Sequence, residues 1–426
     1  MESRIDSRSL VLDMLLETFR EGRSSSYAVG EIFKDERILD RDRSFILCLY
    51  RGVLERAVFL DFYIEKFSKT PFDKIRPVIK NILRMGLYQM FFMDSVPQRA
   101  AVSESVALAA KRGFSSLKGY VNALLRTAQR EGLKGEVPDN VRACVPLWMY
   151  EKVSKDLGKE EAEAFFKAAL EEEKTLSVRF NTLKASPSEI IQRLEKEGVR
   201  VLARDTEAKE ADIRISGSLE ELPSFKEGLF YVQSPNSMEP AKEALRLSDR
   251  KDPLILDVCA APGGKSIDLA LDFPEGKIIS RDKSEDKAKL IGENSRRMGL
   301  LNIRPEVWDA ALYDPGYEGA ADIVMADVPC SGLGVIGRKP DIKYRLKKED
   351  IPSLAALQRD ILKVCAGYVK KGGILIYSTC TLSAEENSGN ALWFKETEDF
   401  TLERERQYIK SGDKADGFYT ASFRKN

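Results

Sequence analysis

Between residues 253 and 380, five short apolar runs alternate with charged helical stretches. The runs are PLILDVC, GKIISRD, IRPEVWD, ADIVMADV and GGILIYSTC, and the stretches include KSEDKAKLIGENSRRMG and IPSLAALQRDILKVCAGYVKK. Runs of this buried, mainly apolar type fit strands covered on both faces. Strand–helix alternation then predicts a parallel sheet with helices on each side. No other feature restricts the fold as strongly, because parallel neighbours need a crossover between them. The tail, DFTLERERQY and then GFYTASFR, reads as a closing hairpin. This α/β domain is expected over 241–426.

A chain of 426 residues is too long for one core, and the rest of it changes character twice. Residues 1–134 repeat apolar side chains at helical spacing, as in Leu10, Val11, Met14, Leu15 and Phe19, or Ile75, Val78, Ile79, Ile82 and Leu83. An all-α bundle is expected there. Residues 135–240 combine helical stretches with the strand-like pieces LSVRFNTLK, RVLARD, ADIRISG and GLFYVQS, which predicts a small α+β module. Its helix should start at Ser186 or Ser188. The front carries 23 Lys+Arg against 17 Asp+Glu and the remainder 45 against 51, so a basic front could meet an anionic partner.

Two counts exclude chemistry. There is no histidine, which removes His-based triads, His general bases and His-containing zinc sites. The six cysteines, Cys48, Cys144, Cys259, Cys330, Cys365 and Cys380, show no CxxC spacing, so no metal is expected. No apolar run reaches the length of a membrane span, and the first apolar stretch contains acids, unlike a signal peptide. A cytoplasmic protein without membrane contact, working as a monomer, is the expectation.

In an open parallel sheet, ligands sit beyond the carboxyl ends of the strands. Four features fall there. The loop Cys259, Ala260, Ala261, Pro262, Gly263, Gly264, Lys265 follows the first strand and leads into a helix N-terminus. Asp282 ends the second strand, where a carboxylate can accept from two ribose hydroxyls. Asp327-Val-Pro-Cys330 follows the fourth, and Ser378-Thr-Cys380 the fifth. A Walker A loop would need glycine at 259, where cysteine stands, so a nucleoside cofactor is favoured over an ATP phosphate site. Cys48, Cys144, Cys259 and Cys365 read as packing residues. Cys330 and Cys380 share one edge, and nearby cations and helix N-termini should lower the pKa of such thiols. Two thiols, a carboxylate and a nucleoside cofactor point to covalent catalysis on an electron-poor ring.

The motifs LDVCAAPGGKS, the acid at Asp282, WDA at 308–310, DVPCSGLGV and YSTCTLSAEEN resemble, in order, those of the S-adenosylmethionine-dependent RNA cytosine-C5 methyltransferases. Within that group the chain is similar to the bacterial Sun/Fmu type of the RsmB/NOP family. The front resembles the NusB RNA-binding fold through DRDRSF, LRMGLYQ, VP, AVSESV and VNALLR, and the middle carries the VRFNTLK segment of the family's RNA-contacting module. The resemblance implies a NusB-like bundle, the small α+β module and a Rossmann-like class I methyltransferase sheet. It also implies S-adenosylmethionine as cofactor and small-subunit ribosomal RNA as partner. Residues Cys259 to Lys265 would hold the methionine part of the cofactor, Asp282 its ribose and Asp309 would lie near its adenine. Asp327 would face both cofactor and target base, offering the ring N3 a carboxylic acid. Cys380 would be the nucleophile, and Cys330 would assist release. RNA contacts would come from Arg338, Lys339 and Arg345 in GRKPDIKYR, and from Arg179 and Asn181 in VRFNTLK. Two other readings compete: an RNA-binding assembly factor with a vestigial catalytic half, and a P-loop NTPase.

Overall fold

The computed structural model describes residues 6–35, 37–171, 175–205, 207, 209–215, 217–411 and 414–426. It divides into two compact units. One comprises Met1–Leu170 with Ile336–Lys348, the other Glu171–Val335 with Glu349–Asn426. The helical unit thus reaches past the boundary expected at 134, and it takes in a segment from the middle of the α/β region.

The helical unit follows the apolar periodicity. Its helices include Ser7–Glu21, Asp40–Phe67, Pro77–Phe92, Gln98–Lys111 and Lys118–Glu131. Asp6 caps the first by accepting the Ser9 N–H at 3.1 Å. Gly22, in the left-handed region, ends it. Val11, Leu15, Leu49, Val53, Ile79, Leu83, Val121 and Leu125 meet in one core.

Segment Ile336–Lys348 docks into this unit, with two of its side chains reaching furthest into it. Tyr344 donates its hydroxyl to the Leu54 carbonyl at 2.7 Å, and its ring meets Phe19 edge-on at 4.8 Å. Lys343 is buried, and its ammonium donates to the carbonyls of Glu55 at 2.7 Å and Cys144 at 3.1 Å. Burial pushes Lys343 down to about 8. Lys343→Ala should therefore strand two carbonyls and lower unfolding stability by on the order of 2 kcal/mol. Urea denaturation of the whole chain measures this.

The second unit holds both sheets. The smaller contains β1 (Leu176–Phe180), β2 (Arg200–Asp205), β3 (Glu210–Arg214) and β4 (Phe230–Val232), antiparallel in the order β2-β3-β1-β4. Its helix Pro187–Lys196 starts at Ser186 with a full capping box to Glu189. The larger contains β5 (Leu254–Asp257), β6 (Lys277–Asp282), β7 (Ile303–Val307), β8 (Ala321–Asp327), β9 (Val369–Thr379), β10 (Phe400–Ser411) and β11 (Lys414–Lys425). Their order is β10-β11-β9-β8-β5-β6-β7. Strands β5 to β9 pair in parallel, and β11 returns antiparallel on β9 with β10 outside it. The chain leaves β5 toward β6 on one side and reaches β8 on the other. That reversal opens the crevice at the carboxyl ends where ligands bind.

Candidate active site

The loop after β5 is shaped by its own backbone. The Ala260 N–H donates to the Arg281 carbonyl at 2.8 Å, the Gly263 N–H to the Ala260 carbonyl at 2.7 Å, and Asn294 Nδ2 to the Pro262 carbonyl at 2.9 Å. Gly263 has φ +106°, which side-chain-bearing residues avoid, and it caps the helix Gly264–Asp272. The first N–H groups of that helix have no acceptor within it. Cys259 packs against the core, and burial pushes its thiol well up, as expected of a packing residue.

Beneath the loop lies Asp257, fully buried. It accepts from Ser266 Oγ at 2.6 Å, and Ser280 Oγ donates in turn to Ser266 Oγ at 2.7 Å. Burial first, and then the Asp327 charge, push the Asp257 carboxyl up to about 7. Its unfolded value is about 3.9. Between about pH 4 and pH 7 the native state keeps a proton that the unfolded chain has released, so this contribution to stability is lost as pH rises through that window. Asp257→Asn should gain on the parent in urea midpoint as pH rises from 5 to about 7, and the gap should stay constant above it.

The carboxyl ends of β6 and β7 are tied together. Asp282, mostly buried, accepts the Ser284 N–H at 3.2 Å and stands 3.6 Å from Lys287 Nζ. The Trp308 N–H donates to the Asp282 carbonyl at 3.1 Å, bringing the WDA segment beside it. Asp309 itself is exposed and accepts the Ala311 N–H at 3.0 Å.

The ends of β8 and β9 carry the reactive groups. Asp327 accepts from Lys265 Nζ at 2.7 Å and from Ser378 Oγ at 2.8 Å. Burial works against the Lys265 charge, yet the neighbouring Asp327 carboxylate holds its pKa above the usual lysine value. Both of these contacts donate to Asp327. The pair thus holds the Lys265 ammonium at the carboxyl ends of β8 and β9.

The sulfurs of Cys330 and Cys380 lie 3.3 Å apart. The hydrogen bond to Cys380, then burial, push the Cys330 thiol well up. This corrects the expectation of two lowered thiols: Cys330 is kept protonated because its neighbour is a sulfur in a half-buried site. Each cysteine is followed by a hydroxyl residue, and these also meet, with Ser331 Oγ 2.6 Å from Thr381 Oγ1. Sequence reading assigns no role to Ser331, Thr381 or Ser378, although Ser378 stands in the segment that ends the fifth strand. Their signal was the repeated Cys-Ser and Cys-Thr after two strands, with a serine two residues before Cys380.

The RNA-contact expectations divide. Arg179 and Asn181 are not surface residues. The Arg179 guanidinium is buried between Asp268 at 3.0 Å and Asp272 at 2.8 Å. Asn181 Nδ2 donates to the carbonyls of Gly228 at 2.9 Å and Met298 at 2.8 Å. Both fasten the small sheet onto the larger one's helices, so neither side chain is available to RNA. Lys339 and Arg345 are exposed and Arg338 half-buried, all in the helical unit, with Arg345 paired to Asp341 at 3.0 Å.

A doubly wound sheet with a glycine-bearing loop after its first strand, and two thiols at the ends of its fourth and fifth, defines a cofactor-dependent transferase of the Rossmann-like class. The family described as 16S rRNA methyltransferase RsmB/F matches residues 244–424. The NusB family matches residues 5–130, and the RsmF/B-like ferredoxin-like domain residues 145–216. The probable ribosomal RNA small subunit methyltransferase B of Bacillus subtilis (strain 168) is 34% identical over 389 residues, 89% of this chain and 86% of that protein. The crystal structure of PH0851 matches with a TM-score of 0.80 at 26% identity, covering 100% of both chains. NSun6 from Pyrococcus horikoshii, solved with SFG, matches with a TM-score of 0.57 at 26% identity over 66% of this chain and 98% of its own. The chain belongs to the RsmB/F family of S-adenosylmethionine-dependent methyltransferases.

The residues present fit that cofactor. Gly263 provides a loop free of side chain, Asp282 a carboxylate at the end of β6, and Asp257 Oδ1 is a buried acceptor without a hydrogen-bond partner among the described residues. Among the same residues no His, Cys, Asp or Glu group could hold a metal, and no helix is long and apolar enough to cross a membrane.

Proposed function

We propose that the chain methylates C5 of a cytosine in small-subunit ribosomal RNA through a covalent bond between Cys380 and C6. The observation that carries this reading is the 3.3 Å approach of the Cys330 and Cys380 sulfurs beside the Lys265–Asp327 pair. Cytosine C5 is too weak a nucleophile to take a methyl group unaided. After the Cys380 thiol passes its proton to solvent, addition of its sulfur to C6 moves the C5=C6 electrons onto C5 and gives an enamine-like carbon that can. The charge that then develops toward N3 and O2 is met by the Lys265 ammonium, which Asp327 holds in place. Bound S-adenosylmethionine supplies an electrophilic methyl group, with the Cys259–Lys265 loop at its methionine part, Asp282 at its ribose and Asp309 toward its adenine. Once C5 is methylated, its proton must leave before the C6–sulfur bond can break. Cys330, in contact with Cys380, is placed to take that proton once its own thiol proton has passed to solvent. The C5–H electrons then reform the C5=C6 bond, and the C6–sulfur pair leaves with Cys380.

The target base must leave its stack, at a few kcal/mol, so loosened or unpaired RNA is favoured. Lys339, Arg345 and Arg338 would engage the phosphates, in a cytoplasmic setting and with the chain as a monomer. Bisulfite sequencing of 16S ribosomal RNA from cells with and without the gene tests the reading. One cytosine should lose its protection when the gene is deleted and regain it on complementation. An unchanged protection pattern would overturn the assignment.

A further inference from the structure

We propose that Glu386 is a positioning residue of this reaction, holding the Cys330 loop against the strand that carries Cys380 and so governing release rather than attack. The inference rests on the covalent reading above. Glu386 is fully buried. Its Oε1 accepts the Ser331 N–H at 2.8 Å and Gln358 Nε2 at 3.0 Å, and its Oε2 accepts from Ser331 Oγ at 2.5 Å. Gln358 Nε2 also donates to the Pro329 carbonyl at 2.9 Å. The residues on both sides of Cys330 are thus fixed from one carboxylate and the glutamine it binds. Tyr377 sets that glutamine, donating to its Oε1 at 3.1 Å.

The two cysteines differ in what else holds them. Cys380 directly follows β9, whose residue Thr379 is paired with Tyr419 of β11, so a strand ladder fixes its backbone. Cys330 lies in an irregular loop beyond the end of β8 and has no ladder. A buried polar group with every donor satisfied fixes geometry in such places. Glu386 Oε2 meets the Cys380 side through Thr381 Oγ1, at 3.5 Å, so loss of Glu386 should loosen Cys330 far more than Cys380. The expected defect resembles loss of Cys330: the Cys380–C6 bond forms, and release slows.

The test compares Ser331→Ala, Glu386→Ala and Glu386→Gln with Cys330→Ala in single-turnover reactions of the full chain with 16S ribosomal RNA and S-adenosylmethionine. Denaturing gels read the covalent protein–RNA fraction over time. Ser331→Ala and Glu386→Ala should raise the trapped fraction about tenfold over the parent, with the rate of adduct formation changed by less than about threefold. Glu386→Gln, which keeps an acceptor at the Oε1 position, should stay near the parent. Equal slowing of adduct formation and product release, without accumulation, would mean a merely structural role and overturn the proposal. So would a Glu386→Gln defect as large as that of Glu386→Ala. Should Glu386→Ala fail to fold, Ser331→Ala carries the test, since it removes one hydroxyl. If Cys330→Ala traps adduct and Ser331→Ala does not, the Glu386 inference alone falls. If Cys330→Ala traps none, the covalent reading falls and takes this inference with it.

Discussion

Cys380→Ala should abolish methyl transfer to ribosomal RNA, with a loss on the order of a thousand-fold or more, because the nucleophile creates the reactive carbon rather than merely assisting it. The fold should be spared. The side chain is half-buried, it meets another sulfur, and its backbone is set by β9 and by the Gly334 N–H, which donates to the Cys380 carbonyl at 3.1 Å. Tritium transfer from labelled S-adenosylmethionine to 16S ribosomal RNA measures the loss. Circular dichroism and unfolding midpoint should match the parent. A Cys380→Ala protein that still methylates at a tenth of the parent rate would end the covalent mechanism.

Cys330→Ala should give the opposite trace of the same chemistry. Attack by Cys380 needs no group from Cys330, so the bond to C6 should form. Release should stall, and a protein–RNA species that survives denaturant should accumulate roughly tenfold or more above the parent. The double variant Cys330→Ala/Cys380→Ala should form none, because the accumulating bond is made by Cys380. Retention of the adduct in the double variant would assign it to another residue. A Cys330→Ala protein that turns over like the parent would remove Cys330 from release.

The α/β half was legible because its central strands are mainly apolar and alternate with helices, and its loops carry chemistry at fixed ends. LILD, KIISRD and ADIVMAD each became a parallel strand, and the four site segments share one sheet edge as their place after those strands requires. The helix start at Ser186 was legible as well, since a capping box is a local signal. What sequence could not show was partnership over distance. Arg179 in VRFNTLK has the composition of an RNA contact, and only the packing of β1 against the helix Gly264–Asp272 reveals Asp268 and Asp272 around it. Lys343 and Tyr344 read as part of a basic loop, because nothing near them in sequence announces the carbonyls of Glu55 and Leu54 that receive them. Glu386 was visible only as one of two adjacent acids after a strand. Its importance comes from donors on Ser331 and Gln358, which lie 55 and 28 residues away.

The helical unit is built from two pieces of chain, and that has a consequence for its birth on the ribosome. Lys343 bonds to a carbonyl made 288 residues earlier, and Tyr344 to one made 290 residues earlier. At about 5–20 residues per second, the amino-terminal helices wait tens of seconds before the last piece of their own domain is translated. Through that interval Phe19 and the Leu54 and Glu55 carbonyls await their partners, so this edge of the helical core is completed only when translation passes Tyr344.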